Sequence, residues 1–265
     1  MPIHATAIVD LRAEIDPTAD VGPFVVIDGP VIVGAGTRVM AHAFLTGNTR
    51  IGRDNVIHVG AILGHEPQHL GYRGEPSGLR IGDRNVFREH SEVHRSWQGD
   101  GETVIGDDNY LMSHAHIAHD CRVDNRTVIA SGALVAGHAE VADQAFISGN
   151  CVVHQHVRIG RLALLQGLAG VGLDVPPFCV AAGVNTLSGL NLVGLRRAGL
   201  ASERIHALRR AYVRLFRGRR NLRLATAEVE AEPRTPEIDE LLAFIRGSRR
   251  GICRGRDAGT PTDGE

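Results

Sequence analysis

The sequence predicts a mainly β protein, a parallel β-helix built from hexapeptide repeats and followed by an α-helical domain. Three observations support this fold class. An aliphatic residue returns at every sixth position, the repeat stops near residue 178, and helical spacing of apolar residues follows it. Hydrophobic residues make up 43% of the chain, so chance would not fill one frame so regularly. The frame positions are Ile3, Val9, Ile15, Val21, Ile27, Val33, Val39, Leu45, Ile51, Ile57, Leu63, Ile81, Phe87, Val93, Ile105, Leu111, Ile117, Val123, Ile129, Val135, Val141, Ile147, Val153, Ile159, Leu165 and Val171.

The frame is broken only at His69, Glu75 and Gly99. These positions fall in two segments rich in glycine and polar residues, 64–80 and 96–103, which we predict to be loops that leave the helical coil. Loops on a rigid scaffold often carry functional residues, although insertions without a function remain an alternative.

The pattern divides the chain into three parts. Residues 1–190 are predicted to form the β-helix, residues 191–254 a helical domain, and residues 255–265 a disordered tail.

Two helices are predicted in the second part. Ser202 is the expected N-cap of the first helix, and Thr235 followed by Pro236 starts the second. The expected apolar stripes are Ile205, Leu208, Tyr212, Leu215 and Phe216 in the first helix, and Ile238, Leu241, Leu242 and Ile245 in the second.

Composition excludes several classes of function. A net charge of −1 gives no support for nucleic-acid binding, and every basic residue is arginine, which excludes lysine-dependent chemistry. No apolar run reaches the length of a membrane span and no leader pattern precedes the repeats, so we expect a cytoplasmic protein without stable membrane insertion. The cysteines match no disulfide or zinc spacing, and we expect reduced thiols at Cys121, Cys151, Cys179 and Cys253.

Histidines cluster in the segment "LMSHAHIAHDCRV", residues 111–123. Three faces per coil make 18 residues one turn, which places each residue about 4.8 Å from the residue 18 positions later. The resulting columns are His119 with Gly137 and Gln155, and Asp120 with His138 and His156; His154 lies beside Gln155.

Such a patch has the groups that acyl transfer requires. His119 would act as a general base, and Asp120 would orient it or stabilise its protonated form. Gly137 could offer its backbone N–H to a developing oxyanion. The alternative is a set of solvated surface histidines.

A metal site is the competing interpretation of the same segment. The spacing of His114 and His119 resembles that of trimeric β-helical carbonic anhydrases. The further histidine of those enzymes would fall at Gly78, so we expect no catalytic metal and no cofactor here.

Several motifs together resemble the bacterial acyl-carrier-protein:UDP-N-acetylglucosamine O-acyltransferases. They are "PQHLGYRGEP", "IGDRN", "HIAHDC", "AGH", "VHQ" and "DVPP", and the likeness runs from Ile3 to about Arg254. The resemblance implies a homotrimer of left-handed β-helices with sites in the clefts between subunits. It also implies transfer of an (R)-3-hydroxyacyl group from acyl carrier protein to the 3-hydroxyl of UDP-N-acetylglucosamine, the first step of lipid A synthesis.

The resemblance also assigns roles to individual residues. His119 is implied to be the general base, with Asp120 beside it and Gly137 at the oxyanion, and Gly167 is implied to set acyl-chain length. The implied substrate contacts are His69, His116, His138, His154, Gln155, Asn191 and Arg197.

Four departures from the family pattern fall at implied substrate contacts. The family usually has an acid at His69, a lysine at Gly71 and an acid at Val193, and "HRGT" where this chain has "HRSW" from His94. They leave open a related acyltransferase acting on another nucleotide sugar. Outside this chemistry, a metal-dependent hydratase and a catalytically idle trimeric scaffold are the alternatives.

Arginines accumulate after Ser202, against the single acid Glu203. A solvated basic face and a docking surface for the acidic acyl carrier protein are both compatible with this charge. The residues are Arg204, Arg209, Arg210, Arg214, Arg217, Arg219, Arg220 and Arg223.

Overall fold

The computed structural model describes residues 3–217 and 221–255. Most of these residues form a left-handed parallel β-helix, and a short helical part follows it, which confirms the predicted fold class.

Three sheets make the faces of the β-helix. The first contains β1 (Ile8–Val9), β4 (Val26–Asp28), β7 (Phe44–Thr46), β10 (Ile62–His65), β13 (Glu92–His94), β16 (His116–Ile117), β19 (Leu134–Val135), β22 (Val152–Val153) and β25 (Gly170–Val171). The second contains β2 (Glu14–Ile15), β5 (Ile32–Val33), β8 (Asn48–Ile51), β11 (Gly78–Ile81), β14 (Glu102–Ile105), β17 (Arg122–Val123), β20 (Glu140–Val141) and β23 (Arg158–Ile159). The third contains β3 (Asp20–Val21), β6 (Arg38–Val39), β9 (Val56–Ile57), β12 (Val86–Phe87), β15 (Tyr110–Leu111), β18 (Val128–Ile129), β21 (Phe146–Ile147), β24 (Leu164–Leu165), β26 (Cys179–Ala182), β27 (Thr186–Leu190) and β28 (Arg254–Gly255).

The period of six follows from this geometry. Consecutive strands lie on different faces, and each strand pairs with the strand one full coil later, as Ile117 does with Val135 and Val135 with Val153. The frame residue of each strand points inward, and these three side chains are fully buried. Each buried aliphatic side chain contributes roughly 1.5–3 kcal/mol.

The two predicted loops insert whole multiples of six residues. Ile51 pairs with Ile81, 30 positions later, and Ile81 with Ile105, 24 positions later. Ile105 pairs with Val123 at the regular interval of 18. The loops therefore add 12 and 6 residues, which is why the frame resumes unshifted after each of them.

The corners between strands require left-handed backbone. Asp120, His138 and His156 all occupy such corners, with φ of 58°, 60° and 60°. Asparagine, aspartate and histidine tolerate this conformation better than most residues. Because these corners stack, the polar side chains that follow β16, β19 and β22 share one edge of the β-helix.

The repeat and the helices are separated by an antiparallel strand pair, and the first helix begins close to the predicted start of the helical domain at residue 191. After Phe178 the chain forms the antiparallel pair β26 and β27, and only then the helices. These are α1 (Leu192–Arg197), α2 (Ser202–Phe216), α3 (Leu222–Glu230) and α4 (Pro236–Arg246). Both predicted apolar stripes pack against the core, whereas α1 and α3 were not predicted.

Two details of the helical part differ from prediction. Ala201 rather than Ser202 is the N-cap of α2. Gly255, predicted to begin the tail, pairs with Leu187 in β28, so regular structure extends one residue further. The rest of the predicted tail, residues 256–265, lies outside the described residues.

The arginine cluster is partly neutralised. Arg204 binds Glu237 of α4, and Arg214 contacts Glu232, whereas Arg217 is exposed. Arg219 and Arg220 lie outside the described residues. Among the helices that the structure describes, none is long and apolar enough to cross a membrane.

Candidate active site

The geometry of His119 suits a general base. Its Nδ1 lies 2.7 Å from Oδ2 of Asp120, and only 3% of the residue is exposed. A carboxylate only accepts, so Nδ1 carries the proton and Nε2 keeps its lone pair. Within the described part of the chain, no group hydrogen-bonds Nε2, so it is free to accept a proton.

Asp120 is held in place by a loop. The Ser96 hydroxyl donates to its Oδ1 at 2.5 Å, the Trp97 backbone N–H donates to Oδ2 at 3.3 Å, and its own N–H donates to Thr103 Oγ1. Burial acts to raise the pKa of Asp120, but the hydrogen bonds from His119, Ser96 and Trp97 outweigh it and lower the pKa. The carboxylate is therefore ionised at neutral pH.

Gly137 lies directly against the His119 ring. A Cβ at this position would be 2.5 Å from Cε1 and 2.7 Å from Nε2 of His119, closer than side chains tolerate. The Gly137 N–H has no acceptor among residues 3–217 and 221–255. The glycine thus makes room for the imidazole and leaves a backbone donor beside it, where an oxyanion could bind.

His138 is held as a neutral hydrogen-bond acceptor. The Trp97 indole N–H donates to its Nε2 at 3.2 Å, and its ring stacks on His156 at 4.5 Å. Burial and then the nearby rings of His156 and His119 lower the pKa of His138, against the opposing effect of Asp120. His119 is therefore the imidazole of this patch that pairs directly with the carboxylate.

The two inserted loops meet above the His119–Asp120 pair. His69 stacks on Trp97 with ring centroids 4.0 Å apart and lies edge-on to His119 at 5.3 Å. The Gly71 N–H donates to His69 Nδ1. Ser96 of the second loop is bound to Asp120. We call the surface that the two loops form here the loop cap. It consists of four positions at which the sequence departs from the family pattern, namely His69, Gly71, Ser96 and Trp97.

Sequence reasoning did not assign Ser96 and Trp97 to the site. The only signal was that "HRSW" replaces the usual "HRGT", inside a loop that interrupts the repeat. The structure shows why they matter, because Ser96 binds the carboxylate and Trp97 binds His138.

The other predicted residues of the β-helix lie along the same edge. His116 is on β16, and its Nδ1 lies 3.4 Å from Glu92 Oε2. His154 and Gln155 are exposed, and Arg250 reaches His154 Nδ1 at 3.4 Å. Their substrate contacts stay predictions.

Three predicted residues lie apart from the His119 cluster. Asn191 caps α1, since its Oδ1 accepts from the Gly194 N–H and its Nδ2 donates to the Leu162 carbonyl, each at 2.9 Å. Arg197 and Gly167 are exposed, and a Cβ added to Gly167 would meet only a carbonyl oxygen at 3.7 Å. Asn191 therefore has a structural role, and the nucleotide and acyl contacts of these residues stay predictions.

His114 does not join the site. Its ring stacks on His90 at 5.3 Å, at a different corner of the coil. In the described ranges, the groups able to hold a metal ion do not include it. Within a single chain, the HxxxxH spacing therefore does not bring the imidazoles of His114 and His119 together.

The cysteines are not candidate nucleophiles. All four are buried, and burial, together with the negative charge of the neighbouring Asp120, raises the pKa of the Cys121 thiol to about 12. A thiol with such a pKa stays protonated at neutral pH.

Comparison with known proteins places the chain in a family. Residues 174–253 match the model "Udp N-acetylglucosamine O-acyltransferase; Domain 2", and residues 102–137 match the bacterial transferase hexapeptide repeats. The acyl-[acyl-carrier-protein]–UDP-N-acetylglucosamine O-acyltransferase of Thermodesulfovibrio yellowstonii is 46% identical over 95% of this chain and 99% of its own length.

Solved structures agree. The UDP-N-acetylglucosamine acyltransferase of Bacteroides fragilis has a TM-score of 0.92 at 37% identity, covering 95% of this chain and all of that one. The O-acyltransferase of Moraxella catarrhalis has a TM-score of 0.90 at 38% identity, covering 96% and 100%. The chain belongs to the UDP-N-acetylglucosamine O-acyltransferase family.

Proposed function

We propose that this protein is an enzyme that transfers an acyl group from acyl carrier protein to UDP-N-acetylglucosamine, with His119 as the general base. The observation that carries the proposal is the buried His119–Asp120 pair, whose free Nε2 lies beside the side-chain-free Gly137. The names of the relatives support the donor and the acceptor.

The chemistry follows from the positions of these groups. His119 Nε2 takes the proton of the acceptor hydroxyl while its oxygen attacks the carbonyl carbon of the acyl thioester. Asp120, ionised by its hydrogen bonds, stabilises the imidazolium that forms. The Gly137 N–H binds the oxyanion of the tetrahedral intermediate. Collapse breaks the carbon–sulfur bond, and the imidazolium returns its proton to the leaving thiolate.

The finer substrate assignment rests on the family resemblance. The acyl group is an (R)-3-hydroxyacyl chain and the acceptor atom is the 3-hydroxyl of the sugar, which makes this the first step of lipid A synthesis. The exposed Gly167, with open space around its Cβ position, leaves room for a long chain.

The active form is a homotrimer with its sites between subunits. Two observations support this arrangement. Leu134 and Val152 pair on one outer face and are both half-exposed, and Leu168 is largely exposed. The adjacent His154 and Gln155 also lie open to solvent. A neighbouring subunit would cover the aliphatic groups and complete a cleft along the histidine edge.

The proposal is tested by turnover of the purified protein with (R)-3-hydroxyacyl carrier proteins. UDP-N-acetylglucosamine and its 3-amino analogue are compared as acceptors, because the loop cap differs from the family pattern next to the base. Ester formation on UDP-N-acetylglucosamine supports the proposal. Acylation of the amine alone would reassign the acceptor, and turnover with neither would refute the proposal.

A further inference from the structure

A second cluster of ligand-type side chains lies one coil from the catalytic pair. Glu92 and His94 belong to β13, and His116 belongs to the neighbouring β16. Glu92 Oε2 lies 3.4 Å from His116 Nδ1 and 3.9 Å from His94 Nε2. All three ligand atoms lie within 4.8 Å of one another.

His94 has an unpaired nitrogen in the protein interior. Its Nδ1 lies 2.5 Å from the backbone carbonyl of Glu66, which can only accept, so Nδ1 carries the proton and Nε2 carries the lone pair. The residue is 5% exposed, and among the described residues nothing hydrogen-bonds its Nε2. Metal-ligating histidines are typically oriented in this way, with the other ring nitrogen donating to a backbone carbonyl.

The surroundings of the His94 Nε2 lone pair favour a positive charge. The Nε2 of His94 lies 3.9 Å from the carboxylate oxygen Oε2 of Glu92, so two electron-rich atoms face each other. A cation between the two atoms would remove the repulsion between them.

We propose that Glu92, His94 and His116 form a binding site for a divalent transition-metal ion of the Zn²⁺ or Co²⁺ type. Two imidazoles and one carboxylate are a common ligand set for zinc, with water in the fourth position. Ligand atoms around a tetrahedral ion with bonds of ~2.0–2.1 Å are about 3.3 Å apart, so small side-chain rotations suffice. His116 would bind the ion through the lone pair of Nδ1 and carry its ring proton on Nε2.

The cluster around His119 is the competing location for an ion, since His119, Asp120 and His138 also lie within 4.8 Å of one another. There the nitrogens facing the carboxylate are already engaged. His119 Nδ1 donates to Asp120, and His138 Nε2 accepts from the Trp97 indole. The unpaired Nε2 of His94 therefore makes the first cluster the preferred one.

The test is a binding measurement on metal-free protein without substrates, so its outcome is independent of the acyl-transfer proposal. Zn²⁺ is titrated by calorimetry, and Co²⁺ is followed by its visible absorption. We expect one equivalent per chain, a Co²⁺ spectrum of four-coordinate nitrogen and oxygen ligation, and a higher unfolding temperature with Zn²⁺.

Two isosteric variants identify the location. Glu92→Gln keeps the shape of a partly exposed side chain and should weaken binding more than about 100-fold, because even outer-sphere partners cost 10–100-fold. Asp120→Asn, at the competing cluster, should bind as the wild type does. The proposal is overturned if the wild type does not bind, if Glu92→Gln binds equally well, or if Asp120→Asn is the variant that loses binding.

Discussion

Replacing Gly137 with Ala tests the fit between this glycine and the catalytic imidazole. The new Cβ would lie 2.5 Å from Cε1 of His119, whereas carbon atoms prefer separations of ~3.5–4.0 Å. The ring must therefore move by about 1 Å. His69 and His138 lie edge-on to it at 5.3 and 5.2 Å, so it has little free space.

The displacement has a calculable cost. A shift of about 1 Å breaks the 2.7 Å hydrogen bond to Asp120, and misplacements of this size cost ~10²-fold in rate. Overpacking adds ~1–3 kcal/mol of destabilisation. Alanine keeps the backbone N–H at position 137, so the predicted loss comes from the moved base and not from a lost oxyanion donor.

The assay is kcat/KM for acyl transfer, together with a thermal unfolding curve. Gly137→Ala should lower kcat/KM about 100-fold while the protein remains folded. Gly189→Ala is the matched control, since a Cβ there meets nothing within 4 Å, and it should stay near the wild-type value. A Gly137→Ala variant with wild-type kcat/KM would show that the imidazole position inferred here is not the one used in catalysis.

Four further predictions concern the acyl groove, the loop cap and acid stability. Gly167→Met should shift the preferred donor to a shorter acyl chain, since each displaced methylene loses roughly 0.8 kcal/mol of burial; an unchanged preference across a ladder of donors would disprove it. Ser96→Ala removes a hydrogen bond to the Asp120 carboxylate, and hydrogen bonds to charged groups are worth roughly 1.5–3 kcal/mol. The pKa of Asp120 should therefore rise, and the acid limb of the pH profile of kcat/KM should move to higher pH. An acid limb that does not move would argue against a role of Ser96 in keeping Asp120 ionised. Trp97→Phe keeps an aromatic ring but loses the hydrogen bond from the indole N–H to His138, and should raise KM for the acceptor more than it lowers kcat. Equal changes in KM and kcat would contradict the idea that the indole positions His138. The pKa of His138 is lowered in the folded protein, so the unfolded chain takes up a proton first as the pH falls. The free energy of unfolding should therefore decrease as the pH drops below 6.5. In urea titrations at several pH values, His138→Gln should make this decrease less steep, and an equally steep decrease would refute the contribution of His138.

The sequence predicts most of the scaffold because its period is strict. An interval of 18 residues correctly places His138 beside Asp120 and Gly137 beside His119, since the coils between residues 105 and 171 have that length. The same arithmetic fails for the loops, where 12 and 6 extra residues leave the coil and no period determines their path.

The parts of the site that sequence reasoning missed all depend on those loops or on side-chain rotamers. Ser96 and Trp97 reach Asp120 and His138 only through the conformation of the second loop. The unpaired Nε2 of His94 depends on a bond to a carbonyl in the first loop.

The helical part was harder to predict than the β-helix. The helix α3 was missed because Ala225, Thr226 and Val229, its buried residues, are small or polar and give a weak apolar stripe. Asn191 shows a different limit, since a residue matched to substrate binding by resemblance also caps a helix.

The most direct test of the central claim is kcat/KM for acyl transfer by the His119→Ala variant. The side chain lies at a corner outside the aliphatic interior, so the variant should fold and assemble normally. Loss of a general base predicts a fall of ~10²–10⁴-fold. A correctly folded His119→Ala protein with near-normal turnover would contradict the assignment of His119 as the general base. In the described part of the chain, no other imidazole of the patch lies within hydrogen-bond distance of Asp120.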